Sequence, residues 1–169
     1  MIRILGGVLT AGVCLWLGDR EARQLTARVD TLDSLIRALD WMSWELKQRL
    51  TPLPRLMEEL GHCAEPPVRP MFQEGSRALV QLEEGSFAQA WEKLSQRLPG
   101  LSREDRSSLG SLSGVLGRWS GEEQGEAIRS VCRELTRNRE QALQDSQRMG
   151  KVWRTVGAAG GGFLLILLL

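Results

Sequence analysis

Histidine occurs once in this sequence, tyrosine not at all, and neither charge sign prevails. The single histidine, His62, follows Gly61 at an expected helix end, an ordinary place for a polar loop residue. Metal centres draw on several His, Cys or acidic ligands at compatible spacing, and no such set stands out here. Cysteine is scarce as well: Cys14 lies in an apolar run, and Cys63 and Cys132 are 69 residues apart. That spacing speaks for free thiols in a reducing compartment and against a disulfide framework. His62 and Cys63 are adjacent, and sequence neighbours seldom face each other as base and nucleophile must. The charges balance at 22 Lys plus Arg against 21 Asp plus Glu. Only Arg3 and Arg154 fall in the apolar ends and every acid lies between Asp19 and Asp145, so residues 19–151 carry a net of −1. Nucleic-acid binding needs a basic surface that displaces counterions, so nucleic acid is not an expected partner.

Carboxylates cluster only as the adjacent pairs Glu58-Glu59, Glu83-Glu84 and Glu122-Glu123. Neighbours on a helix point about 100° apart, so none of these pairs is a general acid–base couple by itself. The stretch from Gly117 to Gly121 lacks the Lys-Ser/Thr ending of a phosphate loop and follows a helix instead of a strand. No catalytic residue, cofactor or small-molecule substrate is expected.

What the sequence does contain is an apolar run at each end. Ile2 to Leu17 reads IRILGGVLTAGVCLWL, broken only by Arg3. Sixteen residues give about 24 Å of helix, short of a hydrocarbon core of about 30 Å. Arg3 snorkelling to one surface and Trp16 seated at the other close most of that gap. A cleaved signal peptide is the rival reading. Its basic start would be a single Arg, no small-x-small site follows, and the apolar run ends at Gly18-Asp19-Arg20. A lipoprotein signal wants a small residue directly before Cys14, where Val13 stands. Residues 2–18 are therefore expected to form a retained transmembrane anchor.

Residues 152–169, VWRTVGAAGGGFLLILLL, form the second expected anchor. A soluble helix ending in LLILLL would need burial on every side. Bilayer thinning and snorkelling of Lys151 and Arg154 absorb its shortness. Gly7 with Ala11 and Gly157 with Gly161 stand four apart, a spacing that lets membrane helices approach closely; these are the candidate helix-packing positions. The basic flanks, Arg20 and Arg23 on one side and Arg148, Lys151 and Arg154 on the other, predict a cytoplasmic domain over 19–151 with both termini outside.

Between the anchors the apolar period is helical throughout. Val29, Leu32, Leu35, Ile36, Leu39, Met42, Leu46 and Leu50 form the stripe of one long amphipathic helix. Thr51 as N-cap with Pro52 behind it predicts a second helix, ended by Gly61. A third is expected over 68–84, ended by Gly85, and a fourth from a Ser86 cap through Trp91 to Pro99-Gly100. Ser102, with Asp105 three residues on, resembles a capping box and opens a fifth running through Leu109, Leu112, Val115 and Leu116. Gly117 to Gly121 breaks it, and a last helix begins near Glu122. The fold class is thus all-α, a compact bundle of about six helices flanked by N- and C-terminal transmembrane helices, its first and last helices packed together. Trp119, in a Gly-flanked turn, is the candidate for an exposed contact.

Five features recur in a known order: the short N-terminal anchor, the helix ending before Thr51-Pro52-Leu53, and Gly85 leading to Ala90-Trp91. Leu116-Gly117-Arg118 with Glu122 and Gln124, and the Gly-rich turn into Leu164 to Leu169, complete the set. This layout resembles the stage III sporulation protein AB family of endospore-forming bacteria over nearly the full chain. One departure is that the family turn after Leu-Gly usually carries Ser-Asp, whereas Trp119-Ser120-Gly121 stands here. The resemblance implies a component of the mother-cell-to-forespore channel complex, in the mother-cell membrane facing the forespore and required for spore development. The family is similar to the cytoplasmic domain of the F-type platform protein of type II secretion. That likeness implies a scaffold that docks a sporulation ATPase and other channel-complex proteins, alongside membrane lipid. Arg118, Trp119, Glu122 and Gln124 are the candidate partner-binding residues. The competing readings are an unrelated membrane-tethered helical enzyme or sensor, and a tail-anchored protein whose N-terminal run is cleaved.

Overall fold

The computed structural model describes residues 26–80 and 87–168, with side chains as far as Arg148. Six α-helices and one short 3₁₀ segment account for the regular structure, with no strand among the described residues. The first helix, α1, covers residues 26–48. It is followed by α2 (Leu53–Cys63), α3 (Arg69–Val80), α4 (Phe87–Arg97), α5 (Arg103–Gly110), the 3₁₀ segment Ser111–Gly114, and α6 (Gly121–Leu168). Among the described residues no helix is long and apolar enough to cross a membrane. The expected N-terminal anchor, with Gly7 and Ala11, lies outside them. The C-terminal run, with Gly157 and Gly161, is described only as the backbone of the last turns of α6.

The stripe on α1 is the spine of the core. Leu32, Leu35, Leu39 and Met42 are fully buried, against Leu56, Met57 and Leu60 of α2, Phe72 of α3, Trp91 of α4, and Ile128 and Leu135 of α6. Fully burying such side chains contributes about 1.5–3 kcal/mol each, which is what holds helices this short in place. Trp91 sits among Phe72 and Phe87, with ring centroids 6.5 and 5.9 Å away.

α1 and α6 run antiparallel side by side. Ser43 Oγ donates to the Gly125 carbonyl at 2.9 Å, Lys47 pairs with Glu126 at 3.3 Å, and Arg139 pairs with Asp33 at 2.7 Å. Gly121 and Gly125, four apart on α6, make the approach possible. A Cβ on Gly121 would fall 3.0 Å from the Leu46 carbonyl oxygen, and one on Gly125 2.5 Å from Lys47 Cγ. The Gly125→Val protein is therefore expected to lose about 1–3 kcal/mol in chemical denaturation through overpacking. Gly110→Ala, with nothing within 4 Å of the added carbon, should leave stability unchanged or slightly higher.

Several local expectations need correction. Thr51 does not cap α2: Pro52 occupies the cap position in extended conformation, and the Thr51 hydroxyl donates to Glu45 Oε2 at 2.9 Å. The buried Glu45 carboxylate is a stronger acceptor and takes that hydroxyl. Leu50 is not part of the core stripe; it is 73% exposed with φ +52°. Gly61 does not end α2, which continues to Cys63; it is buried where Gln73 of α3 crosses, and Gln73 Nε2 donates to its carbonyl at 2.9 Å. α5 does not run on to Leu116. It tightens into the 3₁₀ segment because Gly110, Ser111, Ser113 and Gly114 are weak helix formers, while Leu112 and Leu116 are still buried. The expected end of α3 beyond Val80, with the Gly85 stop and the Ser86 cap, lies outside the described residues.

Candidate partner-binding tip

At one end of the α1–α6 pair, three loops meet: the end of α1 with Leu50, the start of α2, and the turn 115–120 into α6. Leu46, Leu53 and Leu116 are buried and form its floor. Gly117 takes φ +76°, a left-handed conformation open to glycine, and a Cβ there would lie 3.5 Å from Leu53 Cδ2. Ser120 then caps α6. Its hydroxyl accepts from the Glu123 backbone N–H at 3.3 Å, and its own N–H donates to Glu123 Oε2 at 3.1 Å. Bonds from the Ser120 hydroxyl and N–H hold the Glu123 carboxyl below its usual pKa range. Ser120-Gly121-Glu122-Glu123 fits the S-x-x-E capping pattern, so the sequence carried this signal although the expected start near Glu122 did not use it.

The four candidate residues divide. Gln124 is buried and holds the turn: its Oε1 accepts from the Gly117 N–H at 3.3 Å and its Nε2 donates to the Trp119 carbonyl at 2.6 Å. Arg118 and Glu122 are exposed, and Trp119 is 54% exposed. Among the described residues, none of these three side chains makes an ion pair or hydrogen bond. The structure thus presents an indole and two unpaired charges on a turn made rigid by Gln124 and the cap. Leu50, which the periodicity places in the core, joins them: its Cδ2 would lie 3.7 Å from a Cβ on Gly121, two residues beyond Trp119. Trp44 is also exposed, with the Arg49 guanidinium 5.2 Å from its ring centroid.

Other chemistry-bearing groups are accounted for locally. Of the carboxylate pairs, Glu59 is bound to Arg55 at 3.0 Å and Glu123 to the cap, while Glu83-Glu84 lies outside the described residues. His62 and Cys63 are both exposed at the end of α2. Burial, and after it the Asp40 carboxylate, push the Cys132 thiol up to about 12, so it stays protonated at neutral pH. A groove of about 230 Å³ between α1 and α2 is lined by Ala38, Trp41, Leu60 and Cys63, with the Arg37–Glu65 ion pair beside it. Bonds from Ser34 first and Arg37 second lower the Glu65 pKa. Among the described residues no three His, Cys, Asp or Glu groups gather as metal ligands would.

No curated protein and no solved structure matches the chain. A family model, that of stage III sporulation protein AB, matches residues 3–169. That span takes in the described helices, the tip turn and nearly all of both apolar ends, so the chain belongs to the stage III sporulation protein AB family and its role is in sporulation.

Proposed function

We propose that this protein is a membrane-held platform subunit that docks a sporulation ATPase through the tip, alongside ring components of the channel complex, and performs no catalysis itself. The observation that carries the reading is the rigid turn presenting Trp119 between the unpaired Arg118 and Glu122. Its placement supports it. From Gly121 to Lys151, α6 covers roughly thirty residues, about 45 Å of helix, so the tip stands far from the apolar end of the same helix. Anchored by residues 2–18 and 152–169 in the mother-cell membrane facing the forespore, the domain would hold the tip out into the cytoplasm. Basic residues Arg20, Arg23, Arg148, Lys151 and Arg154 favour that orientation. Trp is the residue type most enriched at binding hot spots, where truncation costs at least about 2 kcal/mol.

The test is affinity of the full-length chain, in lipid nanodiscs, for the purified sporulation ATPase. Trp119→Ala is expected to weaken binding about tenfold or more while the melting temperature of the chain stays unchanged. Absence of binding by the wild-type chain, or equal binding by the variant, would reject the tip as the docking site.

A further inference from the structure

α1 and α6 keep one register along their contact. Ser43 is bonded to Gly125, Lys47 to Glu126 and Asp33 to Arg139, and a Cβ on Gly121 would lie 3.7 Å from Leu50 Cδ2. Each step back along α1 is therefore matched by a step forward along α6. Val29, Leu32, Ile36 and Leu39 come level with Ala142, Arg139, Leu135 and Cys132, and both rows advance in alternating steps of three and four. All are buried except Ile36 and Arg139, which are half-buried. That spacing is the seam of an antiparallel coiled coil.

α6 does not stop where this seam does. It runs unbroken to Leu168, past the level of Thr26, the first described residue of α1. The spacing runs on with it: among residues 143–148 only Ser146, four beyond Ala142, is half-buried and the others are exposed. Met149 stands three further on. On the other side, the sequence before Thr26 keeps the same steps through Leu25, Ala22 and Gly18. These three are the only residues of 18–25 that are neither charged nor amide-bearing; Asp19, Arg20, Glu21, Arg23 and Gln24 fill the rest. A polar segment that keeps its few apolar residues on one line at helical spacing has a face to bury. No proline precedes Pro52 to interrupt a helix there.

From this we infer that residues 4–25 lie antiparallel along the free face of α6, so that the two ends of the chain form one helical hairpin continuous with α1 and α6. The register brings Leu25 level with Ser146, Ala22 with Met149 and Gly18 with Trp153, and it reaches Leu167 at Ile4. On the way Ala11 comes level with Gly160. These two positions, in place of Gly7, Gly157 and Gly161, are where the apolar runs approach most closely. The occupant is this segment and not a second copy, because it is joined to Thr26, which the seam already seats beside α6. Covalent linkage of that kind gives a high effective concentration that a separate chain lacks. The inference goes beyond the docking reading and does not depend on what the tip binds.

Disulfide trapping tests the register in the full-length chain in lipid nanodiscs, carrying Cys14→Ser and Cys63→Ser and keeping the buried Cys132. A disulfide needs Cα atoms about 4.4–6.8 Å apart, a condition that level positions on closely packed helices meet. Oxidation should therefore close an intramolecular bond in Ala22→Cys with Met149→Cys, and again in Leu25→Cys with Ser146→Cys. Gly18→Cys with Ser146→Cys stands one heptad out of register, about 10.5 Å along the axis, and should yield about fivefold less. No ATPase enters this experiment, so its outcome is separate from that of the docking reading. Failure of both in-register pairs to close, or closure no better than that of the out-of-register pair, would overturn the inference. Disulfides joining two chains would assign the face of α6 to a second copy and overturn it as well.

Discussion

Replacing Asp105 with alanine will destabilise the protein by about 3–5 kcal/mol, enough to unfold a marginally stable domain of this size. The side chain of Asp105 is fully buried, and its two oxygens accept four hydrogen bonds. Arg28 donates twice, at 2.9 and 3.2 Å, the Ser102 N–H once at 2.9 Å, and Asn138 Nδ2 once at 2.9 Å. One carboxylate therefore ties α1, the capping box of α5, and α6. Deleting it leaves the Arg28 guanidinium, itself only 23% exposed, facing a void with no anion. Asp105→Asn keeps the shape but turns one acceptor into a donor among donors, so it should recover little of the loss. Urea denaturation of the three proteins measures this; an alanine variant within about 1 kcal/mol of wild type would show that the node is replaceable.

The same group sets the acid limit. Burial alone raises the pKa of Asp105, but the bonds from Arg28, Ser102 and Asn138 outweigh it, and the net direction is down. A carboxyl whose folded pKa lies below its unfolded value of about 3.9 stabilises the fold fully above that value. The contribution is lost as pH falls through the folded pKa, because the unfolded chain then binds the proton more readily. Thermal melts should thus show a loss of stability below about pH 4 that Asp105→Asn lacks. Glu65 and Glu123 shift the same way, but they are exposed and screened by solvent and contribute little.

The contrast between Ser102 and Asp105 shows how far the sequence could be read. Their spacing announces a capping box, and the structure contains it. That the same carboxylate also receives Arg28 and Asn138, 77 and 33 residues away, depends on which helices become neighbours, and no local pattern encodes that. The helical period of the core is legible because it records burial directly, as in Leu32, Leu35, Leu39 and Met42. It fails at Leu50 because an apolar residue in register is indistinguishable from a core residue until the backbone turns it out. Glycine is ambiguous for a related reason. Gly61 marks a helix stop by propensity, yet here it is a point of close approach. The small-residue spacing of the apolar ends also occurs at Gly121 and Gly125, where it lets α6 approach α1 closely. At the tip, the glycine flanks point to an exposed Trp119, while the burial of Gln124 as the brace beneath it depends on the fold of the turn and has no local signal.

Trp91→Ala will be as damaging as loss of Asp105, about 3–5 kcal/mol, and the way it fails will separate packing from hydrogen bonding. The indole is fully buried between Phe72 and Phe87, and its Nε1 donates to the Leu109 carbonyl at 2.9 Å. Trp91→Phe keeps most of the apolar area and removes only the indole bond to a carbonyl that the Ser111 N–H also reaches, so about 0.5–1.5 kcal/mol of the total should appear in this variant alone. The bond does more than fill a valence. Leu109 lies in the last turn of α5, just before the chain tightens into the 3₁₀ segment and passes through Leu112 and Leu116 to the tip. Pinning its carbonyl to α4 fixes where that segment begins, and so the height at which Trp119 is presented. Hydrogen exchange on Trp91→Phe should therefore rise first at amides 112–119, ahead of the α1–α6 pair, whose bonds through Ser43 and Asp33 do not pass through α4. Uniform acceleration across all helices would mean that the indole bond serves the core generally and has no particular link to the tip.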